Sequence, residues 1–273
     1  MKIINSTSEL LQWRKEHSTG VLGFVPTMGA LHAGHASLLN QAQKECDCVI
    51  LSILVNPTQF GDPSDLENYP QTLENDVKIA ENEGVDIVFT PSPEDLYGGI
   101  PSAKRYNWGC ITSDFEGAFR PGHFDGVITV VDKLLTASNP NKAFFGEKDL
   151  QQVAVIRHLA KLNHKNVEIV SCDLIRDKAG LALSSRNSRL SEAGRKKALE
   201  LSKSLTTILN SSNKLDQTQI ELTRLNSING VDLEYLSGVN EDSYSQNDDA
   251  SSWTHIIIAA VVDGVRLIDN VRL

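Results

Sequence analysis

His32 and His35 stand one helical turn apart around a glycine, in the run Pro26-Thr27-Met28-Gly29-Ala30-Leu31-His32-Ala33-Gly34-His35. The run lies at the exit of the first strand-like segment. If a helix opens near Ala33, both imidazoles sit at its N-terminus, where unpaired backbone N–H groups and the helix dipole favour an anion. Gly34 removes a Cβ where a ligand must approach the backbone. Two rings donating hydrogen bonds to phosphate oxygens would stabilise charge that grows in a transition state at phosphorus. The functional reading is a site that activates ATP at its α-phosphate. Two plainer readings stay open at this spacing, an ordinary helix-surface pair and half of a zinc site. Zinc is disfavoured, because there is no His-Glu-x-x-His and no third ligand at a telling distance.

Other residues along the chain suit the same chemistry. Gly146-Glu147-Lys148-Asp149 falls where a strand meets a helix. Lys148 there can neutralise phosphate charge, and Asp149 can cap the helix or bind ribose; a plain surface turn is the alternative. Leu183-Ser184-Ser185-Arg186-Asn187 offers two hydroxyls and a guanidinium that can close over a triphosphate, or a solvated turn. Gln59 and Gln152 are neutral groups that both donate and accept, suited to a substrate with hydroxyls and a carboxylate. In Arg120-Pro121-Gly122-His123-Phe124-Asp125-Gly126, Arg120 can contact an anion, or the run can serve structure with Asp125 capping a helix.

These residues need a scaffold that brings loops together. Segments 21–25, 48–55, 85–89, 142–145 and 167–170 read as buried strands. Helical stripes separate them: Leu38, Leu39 and Ala42; Leu73, Val77 and Ala80, with Gly84 as the stop; then Val127, Val130, Val131, Leu134 and Leu135. Leu150, Val153, Ala154 and Ile156 continue the alternation. Repeated βα units predict an α/β fold, a Rossmann-like, doubly wound parallel sheet whose ligands bind beyond the carboxyl ends of the strands. The texture changes after about residue 175. A helix starting at Ser191, a polar surface loop over 240–252 and a hairpin of 256–262 and 265–268 around Asp263-Gly264 predict a second, smaller α+β C-terminal domain. The expected division is 1–175 and 176–273.

Composition narrows the function classes. The chain has 273 residues and a formal net charge of −9, which disfavours a broad grip on nucleic acid or anionic lipid. A tRNA-charging enzyme is disfavoured on the same ground, since little of the chain could form a basic RNA-binding domain. Cys46, Cys48, Cys110 and Cys172 form no Cys-x-x-Cys pair and fit a reducing cytoplasm. The first twenty residues carry Glu9, Arg14, Lys15 and Glu16 without an apolar core, so a signal peptide is not expected, and no apolar stretch is long enough for a bilayer.

Taken in order, residues 26–35, 56–60, Tyr69-Pro70, residues 120–127, 145–152 and 180–187, and Arg266-Leu267-Ile268-Asp269-Asn270 resemble the pantoate–β-alanine ligase (pantothenate synthetase) family. That family lies within the nucleotidyltransferase-like group marked by a His-x-Gly-His turn. Each motif alone is weak, whereas the ordered set covers nearly the whole chain. The resemblance implies an ATP-dependent ligase that joins (R)-pantoate to β-alanine through pantoyl adenylate. It implies that Met28, Gly29, Ala30, Leu31, His32, Ala33, Gly34 and His35 line the ATP site, with His35 as the catalytic acid. Gly146, Glu147, Lys148, Asp149, Ile175, Leu183, Ser184, Ser185 and Arg186 would complete that site, the last three within a mobile phosphate-binding loop. Gln59 and Gln152 would bind pantoate, Gln59 also lying near β-alanine. Mg2+ is expected with ATP and without a protein cage, and a homodimer is implied. Gln71, Leu150, Asp173-Leu174 and Ala179 stand where the family generally has arginine, tyrosine, Pro-Thr and aspartate; none of these removes a proposed catalytic group. Two rivals remain: a nucleotidyltransferase of the same group that leaves the adenylyl group on its product, and a non-catalytic nucleotide-binding module.

Overall fold

The computed structural model describes residues 1–17 and 19–273, and the chain divides into two compact units. The first comprises Met1–Asn107, Arg120–Glu147 and Val155–Asp173; the second comprises Trp108–Phe119, Lys148–Ala154 and Leu174–Leu273.

In the first unit six strands, β1 (Lys2–Ile4), β2 (Leu22–Thr27), β3 (Cys48–Ile53), β4 (Ile87–Phe89), β5 (Lys142–Gly146) and β6 (Glu168–Cys172), form one sheet in the order β1-β4-β3-β2-β5-β6. Every pairing is parallel. Strand order reverses between β2 and β5, which pair through Gly23 with Lys142 and Phe24 with Ala143. The crevice beyond the carboxyl ends of such a strand pair is where doubly wound sheets take ligands. Met28 follows the end of β2, and β5 ends on Gly146.

Both faces of the sheet are covered, as alternating βα units predict. Val25, Val49 and Leu51 share one face with Leu38, Leu39 and Ala42 of the helix Ala33–Glu45 and with Ala80 of the helix Leu73–Asn82. Phe24 and Ile50, both fully buried, alternate to the other face. The helix His123–Ser138 packs on β2 and buries Val127, Val130, Val131, Leu134 and Leu135. Gly84, with φ +76°, follows the helix Leu73–Asn82 and its cap residue as the expected stop.

Two expectations are corrected here. Strand β1 escaped the sequence because three residues are too few to show a period, and only Ile4 of the three is buried. Leu73 is 49% exposed, and the core-facing position of its helix is taken instead by Asp76, which is 1% exposed.

The second unit carries an antiparallel sheet of β7 (Val231–Val239), β8 (His255–Val262) and β9 (Val265–Arg272). Ala198, Leu201, Leu205 and Ile208 of the helix Glu192–Asn210, with Leu225 of the helix Lys214–Asn226, pack on Ile256, Ile258, Ala260 and Leu267. Ser191 caps the first of these helices as predicted, its side chain accepting from Gly194 N at 3.0 Å. The β8–β9 turn places Asp263 at φ +55° and Gly264 at φ +73°, the doubly left-handed geometry that an Asp-Gly hairpin supplies. Strand β9 runs past Ile268 because Asp269 and Asn270, though polar, are buried and continue the ladder. The 240–252 loop is not wholly a surface feature, since Tyr244 within it is fully buried.

Candidate functional site

The loop leaving β2 is built from backbone donors aimed at specific acceptors. Thr27 Oγ1 donates to Ser52 O at 2.7 Å and accepts from Gly29 N at 3.2 Å. Gly29 and Ala30 follow at φ +82° and +50°, two successive left-handed residues. The Asp76 carboxylate then accepts from Ala30 N at 2.9 Å and Leu31 N at 2.8 Å. Leu31 anchors the turn in the core, and the helix Ala33–Glu45 opens where the motif spacing predicts, with His32 as its N-cap.

The two imidazoles close a reciprocal cap of the kind usually made by hydroxyl and carboxylate side chains. His32 Nδ1 accepts from Gly34 N at 3.1 Å, and His35 Nδ1 accepts from His32 N at 3.3 Å. An Nδ1 that accepts from a peptide N–H leaves the ring proton of a neutral imidazole on Nε2. Each ring, their centroids 4.1 Å apart, is thereby set as an Nε2–H donor.

Gln59 ends a short 3-10 turn, Pro57–Gln59, that follows β3. Buried Asn56 holds it: Asn56 Nδ2 donates to Gln59 Oε1 at 3.0 Å and to Gly126 O at 3.3 Å, while Asn56 Oδ1 accepts from Tyr97 Oη at 2.8 Å. Gln59 Nε2 lies 3.2 Å from Met28 Sδ, so the structure brings these two predicted site residues into contact. A Cβ on Gly126 would meet Thr58 O at 2.4 Å; glycine lets the helix His123–Ser138 reach this turn. Arg120 Nη1 donates to His123 Nε2 at 3.0 Å, which fixes the His123 proton on Nδ1, and that group donates to Gln59 O at 3.0 Å. The 120–126 run therefore supports Gln59. Asp125 does not cap the helix: Gly122 is the N-cap, and Asp125 Oδ1 accepts from Tyr106 N at 2.8 Å. Also in this unit, Glu147 Oε1 accepts from Ser171 Oγ of β6 at 2.6 Å.

In the second unit, Lys148 is half-buried, with Nζ 3.5 Å from both carboxylate oxygens of Asp149. Gln151 is buried and structural, donating to Ile111 O and Asp114 O and accepting from Glu116 N. Gln152 beside it is only half-buried. Ile175 and Leu183 meet through Leu183 N and Ile175 O at 2.9 Å, closing a small ribbon. Asp177 Oδ1 shapes its tip by accepting from Ala179 N and Leu181 N. Burial raises the Asp177 carboxyl, but Arg195 and these two N–H groups outweigh it and hold the pKa below the ordinary value. Ser184 caps the 3-10 turn Ser185–Arg189 by accepting from Arg186 N at 3.3 Å, and buried Asn187 anchors that turn on Ala182 O.

Strand β9 ties these segments together. Arg266 forms paired contacts with Glu116 and Glu234, the shortest at 2.6 Å in each case. Asp269 accepts from Arg176 Nη1 and Nη2 at 2.6 and 2.8 Å, and Asn270 Nδ2 donates to Lys148 O at 3.3 Å. Burial raises the Asp269 carboxyl, and Arg176 offsets this only in part. Burial likewise pushes the Cys46 and Cys48 thiols up to about 11 and Cys172 up to about 12, which leaves them protonated and unreactive near neutrality.

Asp76, which holds the loop leaving β2, was not singled out from the sequence, although a signal existed. Asp76 falls on the Leu73-Val77-Ala80 stripe, and a carboxylate on a core-facing stripe must find donors. Among the described residues, no group of three or more His, Cys, Asp or Glu side chains could hold a metal ion, and no helix is long and apolar enough to cross a membrane.

A family model described as pantoate-beta-alanine ligase matches residues 2–272. The pantothenate synthetase of Bdellovibrio bacteriovorus is 42% identical over 274 residues, covering 100% of this chain and 99% of that protein. That of Wolinella succinogenes is 43% identical over 274 residues, with 99% of each covered. Among solved structures, pantothenate synthetase from Thermus thermophilus superposes with a TM-score of 0.91 at 36% identity, covering 100% of this chain and 99% of that one. Pantoate-beta-alanine ligase from Francisella tularensis, complexed with beta-gamma ATP and beta-alanine, gives 0.82 at 37% identity, covering 100% and 97%.

Proposed function

This chain belongs to the pantoate–β-alanine ligase family, and on that premise we propose how its residues divide the work of the reaction. The chain is an ATP-dependent ligase that makes pantothenate. A pantoate carboxylate oxygen bonds to the α-phosphorus of ATP as the bond to pyrophosphate breaks. The β-alanine amine then bonds to the acyl carbon of pantoyl adenylate, the carbon–oxygen bond to AMP breaks, and the nitrogen loses a proton. The enzyme must neutralise phosphate charge, hold the carboxylate in line with phosphorus and keep water from the mixed anhydride.

One observation carries the assignment of roles. His32 and His35 are both set as Nε2–H donors at the start of the helix that follows β2, in the same unit where Met28 touches Gln59. We assign His35 as the catalytic donor to the reacting phosphate and residues 28–35 to ATP. Gln59, braced by Asn56 and His123, binds pantoate and lies near β-alanine, and Gln152 binds pantoate. Gly146, Glu147, Lys148, Asp149, Ile175 and Leu183 through Arg186 are assigned to the nucleotide, Lys148 countering the charge of departing pyrophosphate. Residues 1–175 are assigned pantoate binding and most of the ATP contacts, and 176–273 form a smaller C-terminal domain that supplies the rest. ATP enters as its Mg2+ complex, with the ion held mainly by the phosphates and water. A cytoplasmic location is part of this reading, and the family resemblance supports a homodimer, which light scattering would test.

The test is AMP release with pantoate and β-alanine omitted in turn. AMP should require both, and pyrophosphate should appear with pantoate alone. Adenylyl retained on the final product would favour a transferase, and ATP binding without pyrophosphate release a non-catalytic module. His35→Ala should lose about 2.7–4 kcal/mol of transition-state stabilisation, and a folded variant with wild-type pyrophosphate release would overturn its role.

A further inference from the structure

We propose that Asp76 is a positioning residue for adenylate formation, holding the backbone that aims His32 and His35 at the phosphate. This rests on the reading of that histidine pair given above. Asp76 lies on the helix Leu73–Asn82, more than forty positions along the chain from the loop it holds, and is 1% exposed. A buried carboxylate persists only where donors compensate its lost hydration. Its two oxygens divide between adjacent peptides: Oδ2 takes Ala30 N at 2.9 Å, and Oδ1 takes Leu31 N at 2.8 Å together with Thr72 Oγ1 at 3.1 Å.

Those peptides are the ones that need holding. Gly29 and Ala30 are successive left-handed residues, and an alanine there persists only where its surroundings over-determine it. The loop pairs with no strand over these residues, so the carboxylate supplies the fixed acceptors that a ladder would. One residue further on, His32 caps the helix, and its own N–H fixes the His35 ring. Contact is also close on the other side, since a Cβ on Gly29 would come within 2.9 Å of Asp76 Oδ2. Asparagine at position 76 keeps the volume but can accept from only one of the two amides.

The experiment is a double-mutant cycle of Asp76→Asn with His35→Ala on the full chain, read as pantoate-dependent pyrophosphate release at saturating ATP–Mg2+. Because misplacing a catalytic group by about 1 Å can cost on the order of 100-fold, D76N alone should be about 10- to 100-fold slower. In the H35A background the same change should cost several-fold less than in the wild type, since one of the two groups being aimed is gone and only His32 remains to be misplaced. Hydrogen exchange at Ala30 and Leu31 should rise in D76N. Thr72→Val loosens the carboxylate without removing it and should show a smaller loss, about two- to fivefold, that also shrinks in H35A; it serves if D76N does not fold. Wild-type rates in D76N, or equal losses in both backgrounds, would overturn the proposal while leaving the histidine reading intact. An H35A enzyme that releases pyrophosphate at the wild-type rate would overturn the histidine reading, and this proposal with it.

Discussion

Removing the Asp269 carboxylate should destabilise the second unit and weaken ATP binding, by amounts that follow from its contacts. Asp269 is 5% exposed and accepts two guanidinium bonds from Arg176, at 2.6 and 2.8 Å, and the backbone N–H of Asn270 at 2.7 Å. Breaking a buried pair by deleting one partner costs about 3–5 kcal/mol. Arg176 keeps bonds to Gly180 O and Asn270 O, and its side chain is 30% exposed, so water recovers part of the loss. We therefore expect about 2–3 kcal/mol for Asp269→Ala, or about 4–12 °C in Tm. Burial holds the Asp269 carboxyl above its ordinary pKa despite Arg176. The pair thus retains a large desolvation cost, and Arg176→Met with Asp269→Leu should be markedly more stable than Asp269→Ala alone. Urea unfolding measures stability, and pyrophosphate release against ATP concentration measures function. The Ile175–Leu183 ribbon loses its tether in D269A, so the KM for ATP should rise more than kcat falls. A stability loss below about 0.5 kcal/mol, or a double variant no better than the single one, would refute this account of the pair.

Lys148→Ala should slow pyrophosphate release far more than it slows AMP release from supplied pantoyl adenylate and β-alanine, because that second half-reaction lacks the pyrophosphate charge. Equal impairment of both halves would give Lys148 another role. Gln59→Ala and Gln152→Ala should weaken pantoate binding by about 1–3 kcal/mol in calorimetry with much smaller effects on ATP. Gln151→Ala, which strands buried partners at residues 111, 114 and 116, should instead lower stability; loss of pantoate affinity with unchanged stability would reverse these assignments. Adding ATP–Mg2+ should raise hydrogen-exchange protection over residues 184–189 more than over 176–181. Asp177, Arg176 and Asp269 already fix the latter, and unchanged protection across both with ATP bound would remove the lid role.

The parallel sheet was legible because its strands are apolar runs separated by helical stripes, and both periods survive in short windows. The helix Ala33–Glu45 was legible from its Leu38-Leu39-Ala42 stripe, whereas its start entered only as the condition under which both imidazoles would share an N-terminus. What stayed hidden depends on partners distant in the chain. Strand β1 is defined by β4, more than eighty residues away. Asp125 reads as a cap until Tyr106 N supplies its true partner. The difference between Gln151 and Gln152 lies in what each faces, and two adjacent glutamines carry no mark of it. Asp269 and Asn270 read as the end of a family motif, while their work of holding Arg176 and Lys148 O appears only in three dimensions.

An acidic chain that takes a polyanionic substrate poses an electrostatic question that net charge does not answer. The formal charge is −9, yet three carboxylates in or beside the proposed ATP loops are turned toward backbone or guanidinium donors. Asp76 serves Ala30 and Leu31, Asp177 serves Ala179 and Leu181, and Asp269 serves Arg176. The groups assigned to phosphate are imidazole N–H, Lys148, Arg186 and peptide N–H. Each acid thus uses its lone pairs to shape a loop whose other donors can face the ligand, and its field is opposed locally by the dipoles it holds. The two views differ in sign. If bulk repulsion governed activity, neutralising Asp76 or Asp269 beside an anionic substrate would improve ATP use. If these acids act by holding loops, the same neutralisations should slow adenylate formation or raise the KM for ATP, although they make the chain less negative.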